Sequence, residues 1–136
     1  MASREVYNSA MVIRIYPLRR MSEPAAGDAR AFSRAVARMV KKIPRGKLLT
    51  YGDVARLAGF PGRPRQVGMA LKGMPDEIKI PWHRVVNAKG LVPQRSRFWG
   101  AWEQMRRLRT EGIPVDDDGN LPLAQFRWMP RNAGDR

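Results

Sequence analysis

The chain has 136 residues, with 26 Lys and Arg against 12 Asp and Glu, a single histidine and no cysteine. That length accommodates one domain with a modest core; the missing thiol excludes disulfides, thiolate metal sites and cysteine nucleophiles, and one histidine cannot supply a structural zinc site. The formal charge of +14, with arginine supplying 20 of the 26 cations, favours a polyanionic partner, nucleic acid ahead of membrane, since neither a long basic amphipathic helix nor an apolar run near the roughly 20 residues of a bilayer span is present.

Residues 1–28 show little periodicity, contain Pro17 and Pro24 and close on Ser22-Glu23-Pro24-Ala25-Ala26-Gly27. They read as a flexible N-terminal extension with one short strand at Met11 to Tyr16. Arg14, Arg19 and Arg20 could make it a basic arm, although such extensions are more often dispensable. Ala10-Met11-Val12-Ile13 is too short, and too soon interrupted by Arg14, for a secretory leader. A cytoplasmic protein is therefore expected, nucleoid-associated if bacterial.

From Asp28 to Lys42 the apolar residues Phe32, Ala35, Val36, Met39 and Val40 recur at three and four, which predicts an amphipathic helix against the core. Asp28 is its expected N-cap, and Lys41-Lys42 suit the negative end of the helix dipole. Pro44-Arg45-Gly46-Lys47 makes a turn. Thr50-Tyr51-Gly52-Asp53 then opens a second helix, with Thr50 and Asp53 as reciprocal caps, Val54, Leu57 and Ala58 inside and Gly59 at its end. Pro64 suits the first position of a third helix running to Gly73. Two short helices joined by a Gly/Pro link read as a helix-turn-helix.

The third helix divides into two faces. Val67, Ala70, Leu71 and Met74 fall on one side, while Arg65, Gly68, Met69 and Lys72 follow i, i+3, i+4, i+7 on the other. The outer face is cationic with a glycine in its middle, which lets the helix backbone approach a partner closely. A basic face is usually a solvated surface, but the overall charge and the helix-turn-helix favour DNA contact here.

Pro75 to Lys79 leads into Ile80-Pro81-Trp82-His83-Arg84-Val85-Val86, which holds the single histidine. Val85-Val86 favours a strand, Asn87-Ala88-Lys89-Gly90 ends it, and Pro81 restricts the backbone before it. Trp82 and His83 are thus expected at a strand mouth. Indole offers a face and one N–H donor, so Trp82 can stack but cannot attack. A core tryptophan beside a hydrogen-bonded histidine accounts for the heptapeptide equally well.

Leu91 to Arg97 forms a second loop, whose Arg95 and Arg97 could return towards Trp82. Phe98 to Thr110 is predicted helical, with Trp99, Trp102, Met105 and Leu108 against the core and Arg106, Arg107 and Arg109 outside. Residues 113–136 read as a C-terminal extension in which Asp116 to Asn120 separates Ile113–Val115 from Leu121–Trp128, a weak hairpin signal. The three successive acids lack the further ligands of a calcium loop, so no metal is expected. Pro130 to Arg136 should fray, and no internal repeat is present.

The heptapeptide resembles the Pro-Cys-His-Arg-Val active-site stretch of the O6-alkylguanine-DNA alkyltransferases, with Trp82 where the acceptor cysteine belongs. That replacement is the mark of the alkyltransferase-like proteins. The resemblance runs from about Phe32 to Gly112 and implies an α/β, mainly helical, winged-helix-like helix-turn-helix of the alkyltransferase C-terminal type over residues 29–112. It implies that Tyr51 rotates the 3′ phosphate of the target nucleotide and that Arg65 enters the duplex in place of the extruded base. Gln66, Gly68, Met69, Ala70 and Lys72 then belong to a recognition helix lying in the minor groove. His83 and Glu111 match a hydrogen-bonded pair. Trp82 and Arg95 would flank the alkylated guanine in a pocket completed by Tyr51, Val92 and Ser96. Met74 departs from the family, which has a hinge asparagine there, so the site loop must be held differently. No cofactor is implied.

The function expected from this resemblance is a monomeric, non-enzymatic sensor that binds O6-alkylguanine in double-stranded DNA, flips it and flags it for nucleotide-excision-repair proteins. One rival is a sequence-specific regulator reading the major groove, for which Arg65, Gln66 and Lys72 are few base-reading side chains. Another is an enzyme using His83 and Glu111 as an acid/base pair, though without metal or covalent nucleophile the pair is more simply structural.

Overall fold

The computed structural model describes residues 26–75, 77–92 and 100–130, with side chains from residue 29 onward. The expected strand at Met11 to Tyr16, the basic arm and the frayed tail from Arg131 lie outside the described residues, whereas the expected N-cap at Asp28 is corrected: the helix already begins at Ala26, which puts Asp28 within its first turn. Helix α1 (Ala26–Lys41) ends in a basic turn of Arg38 and Lys41. Its three-four spacing buries Val36 and Val40 completely and Phe32 and Met39 nearly so. At Gly46 the backbone reaches a φ of 82° that an L side chain adopts only under strain, and the chain turns into β1 (Leu49–Thr50).

Helices α2 (Tyr51–Leu57) and α3 (Pro64–Lys72) pack on each other and on α1. This is the expected helix-turn-helix, with Pro64 in the first turn of α3, where its missing N–H costs nothing. Trp82–Arg84 forms a single 3-10 turn that feeds β2 (Val85–Val86). Strand β2 lies parallel to β1, Leu49 opposite Val85 and Thr50 opposite Val86. The architecture is mainly helical around this small parallel sheet.

The two-residue ladder divides the core in two. Leu49 and Val85 face the helix-turn-helix cluster with Val36, Val54 and Val67. Leu48 and Val86 face a second cluster with Val92, Leu108 and Ile113, built on α4 (Ala101–Thr110). Successive strand residues point to opposite faces, so four residues join two cores. Apolar side chains in a row suit a parallel pair covered on both sides.

Two further expectations are corrected. Trp102 does not pack on the core: it is 70% exposed, and Ala101, Gln104, Met105 and Leu108 form the buried stripe instead. Met105 and Leu108 are buried as their spacing predicts, and Gln104 takes the inner position expected of Trp102. The hairpin between Ile113–Val115 and Leu121–Trp128 does not form. Asp116 closes its turn by accepting from the backbone N–H groups of Asp118 and Asn120 at 2.9 and 2.8 Å. Asn120 then bridges antiparallel to Leu91, outside that hairpin. Pro122, which cannot donate to a ladder, introduces the short helix α5 (Leu123–Phe126). Phe126 and Trp128 bracket Leu48 through backbone hydrogen bonds of 2.9 and 2.7 Å.

Candidate nucleic-acid interface

Helix α2 starts as its sequence predicts. Thr50 Oγ1 accepts from the Asp53 N–H and Asp53 Oδ2 from the Thr50 N–H, each at 3.0 Å, so two otherwise orphan donors are satisfied. Arg127, from the segment beside β1, grips the same carboxylate through Nε at 2.9 Å and Nη2 at 2.7 Å. Burial pushes the Asp53 carboxyl up, but the Arg127 and Thr50 hydrogen bonds outweigh it and hold it below its ordinary value. Tyr51, the first residue of α2, is thereby fixed in direction. Its ring is half-buried, and burial pushes its hydroxyl up.

On α3, Arg65 and Lys72 are exposed and Gln66, Gly68, Met69 and Ala70 half-buried, while Val67 and Leu71 are inside. The face is divided as the sequence indicated. A Cβ built on Gly68 would lie 3.8 Å from Cε1 of Tyr51. The structure thus brings Tyr51 and the glycine of α3 together at one surface, and that contact alone would tolerate an alanine.

The heptapeptide is held by a buried polar network. His83 Nε2 lies 2.6 Å from Glu111 Oε2, so the expected pair is present. Glu111 also accepts from Arg84 Nε at 3.0 Å on both oxygens, from Arg84 Nη2 at 2.8 Å and from the Gly46 N–H at 2.8 Å. Burial alone would raise the Glu111 carboxyl, but the bonds from Arg84, Gly46 and His83 hold it down to about 2. Burial likewise holds His83 below its ordinary value, against the opposing pull of Glu111. The neutral ring then donates from Nε2 to the carboxylate, and Nδ1 has no hydrogen-bond partner among the described residues.

The sequence reading missed the anchors of this segment. Arg84 Nη1 donates to the Ile43 carbonyl at 2.8 Å, and Gln104 Nε2 donates to the carbonyls of His83 and Val85, each at 3.1 Å. Met74 packs on the helix-turn-helix cluster. Apolar packing at Met74 and these tethers hold the segment on either side of the heptapeptide's entry. A buried glutamine in a helix is a weak signal, legible only once its neighbours are known.

Trp82 is half-buried beside this network, meeting the His83 ring edge-on with centroids 6.1 Å apart and planes at 88°. Arg107, placed simply outside by the sequence reading, lies with its guanidinium carbon 5.2 Å from the Trp82 ring centroid. Its Nε donates to Glu103 at 2.6 Å. Val92 is fully buried in the second cluster, so it supports the base of the following loop and offers no accessible pocket wall. Arg95 and Ser96 lie outside the described residues. The arrangement presents an aromatic face, a cation and a basic helix, and its lone histidine is engaged in holding the backbone.

The family described as the 6-O-methylguanine DNA methyltransferase DNA-binding domain matches residues 31–113. A DNA base-flipping protein of Vibrio parahaemolyticus is 39% identical over 92 residues, covering 68% of this chain and 90% of the relative. The alkyltransferase-like protein 1 of Schizosaccharomyces pombe is 39% identical over 95 residues, covering 67% and 88%. Among solved structures, the S. pombe alkyltransferase-like protein in complex with damaged DNA containing O6-carboxymethylguanine superposes with a TM-score of 0.65 at 40% identity, over 73% of this chain and 95% of that one. The Mycobacterium tuberculosis O6-methylguanine methyltransferase gives 0.51 at 28% identity, over 62% and 52%.

Proposed function

The chain belongs to the 6-O-methylguanine DNA methyltransferase DNA-binding-domain family, in its alkyltransferase-like branch, and from that premise we propose that it binds O6-alkylguanine in duplex DNA, extrudes the damaged nucleotide and transfers nothing. The observation that carries this reading is Trp82, an indole standing where the resemblance puts an acceptor thiol, next to an intact His83–Glu111 pair.

In this reading α3 lies in the minor groove, Lys72 meets a phosphate, Tyr51 turns the nucleotide and Arg65 fills the vacated stack. Extrusion costs a few kcal/mol, less for a damaged and poorly paired base. Stacking on an aromatic side chain returns about 1–3 kcal/mol per base, so Trp82 with Arg95 and Ser96 can offset the cost and select the lesion without chemistry. The chain has no cysteine, and His83 spends its Nε2–H on Glu111, so no acceptor thiol faces the alkyl group and the histidine is not free to activate one. The complex then flags the lesion, by resemblance, for nucleotide-excision-repair proteins; the protein acts as a monomer in the cytoplasm.

The relatives named as base-flipping and alkyltransferase-like support this reading, as does the damaged-DNA complex of the S. pombe protein. Its test is the fluorescence of 2-aminopurine placed opposite O6-methylguanine. Emission should rise on binding the parent and much less with Arg65→Ala. Unchanged emission with the parent bound would reject flipping.

A further inference from the structure

Trp82 is not an isolated aromatic wall. Arg107 covers one face of its ring with the guanidinium carbon 5.2 Å from the centroid, and His83 meets it edge-on. Arg107 is held in turn by Glu103 at 2.6 Å, and Glu103 is clamped from its other side by Arg106, Nη2 to Oε2 at 2.7 Å and Nε to Oε1 at 3.1 Å. All three belong to α4, with Glu103 one helical turn before Arg106 and Arg107, so the helix itself brings the carboxylate to both guanidiniums.

We propose that Arg107, fixed by Glu103, is a positioning residue for Trp82: it occupies one indole face and sets the ring so that the opposite face receives the extruded purine. Two consequences follow from the geometry. A cation on one face of a π-system draws electron density from the other, which favours an electron-rich purine stacked there. A ring clamped by a cation and by His83 also loses less rotamer freedom on binding than a free one. Arg107 therefore acts on lesion preference through Trp82, with no contact of its own to DNA.

The inference rests on the assignment of Trp82 as the surface that receives the base, and the test separates the two. Affinities are measured for a duplex with one O6-methylguanine and for the same duplex with guanine, using the parent, Arg107→Met, Arg107→Lys, Glu103→Gln, Trp82→Ala and Trp82→Ala/Arg107→Met. Arg107→Met should lower the lesion-to-guanine preference about fivefold, the factor of an ordinary cation–π contact, and change guanine-duplex affinity far less. Arg107→Lys should keep most of the preference, and Glu103→Gln should lose part of it. In the Trp82→Ala background, Arg107→Met should have no further effect on preference. Should Arg107→Met prove unfolded by circular dichroism, Glu103→Gln and Arg107→Lys carry the same comparison. Equal loss on both duplexes would make Arg107 a phosphate contact, and an undiminished effect without Trp82 would make it independent of the indole; either overturns the proposal. Full preference with Arg107→Met but not with Trp82→Ala would overturn it alone. Full preference with Trp82→Ala would reject the pocket itself.

Discussion

The segment around Trp82 and the outer face of α3 are built on opposite principles. At Glu111 a buried carboxylate, 4% exposed as a side chain, collects the neighbours His83 and Arg84 from the heptapeptide and the Gly46 N–H from the turn before β1. On α3, Arg65 and Lys72 are exposed on a helix whose own geometry determines where they point. The first region is held from several sides by a buried network; the second is an exposed basic helical surface. In the function proposed above, the first region discriminates the lesion and the second finds the duplex.

The largest effect should come from breaking the fixed region. Glu111→Ala leaves Arg84 and His83 buried without their acceptor, which should cost about 3–5 kcal/mol of stability, read by chemical denaturation. The same substitution on α3, Lys72→Ala, should stay within about 0.5 kcal/mol. A Glu111→Ala loss no greater than that of Lys72→Ala would erase the contrast.

Acid should act on the same region. His83 and Glu111 both sit below their ordinary values of 6.5 and 4.5 in the folded chain. The unfolded chain therefore binds more protons, and stability, complete above pH 6.5, is lost as pH falls. The Glu111 share, from 4.5 to about 2, amounts to about 3 kcal/mol, lost between those values. Glu111→Gln should flatten the acid limb of stability against pH. An unchanged limb would place the acid sensitivity elsewhere.

The smallest effect should separate affinity from preference. Lys72→Ala should reduce the slope of log affinity against log salt by about 0.9, one phosphate contact, on lesion and guanine duplexes alike. A change in preference would show that α3 discriminates as well as docks.

The parts of the molecule most legible in the sequence are those governed by local rules. The Thr50–Asp53 capping box, Pro64 at the head of α3 and the Val85–Val86 strand each follow from a few adjacent residues. What escaped needed tertiary partners. Gln104 is buried where its amide donates to two carbonyls, and Trp102, two residues before it on the same helix, is exposed. Arg84, read only as part of a motif, is the residue that joins Glu111 to the Ile43 carbonyl. The hairpin signal failed because Asn120 found its partner at Leu91, nearly thirty residues away. The His83–Glu111 pair was named from resemblance and not from spacing; nothing local links residues 28 apart.

The most direct test is equilibrium binding of the parent chain to two identical duplexes, one with guanine and one with O6-methylguanine, followed by the mass of the recovered lesion strand. Tighter binding to the lesion, with the methyl group still on the DNA, is the predicted result. Equal affinity for the two duplexes, or a strand that has lost its methyl group, would contradict it.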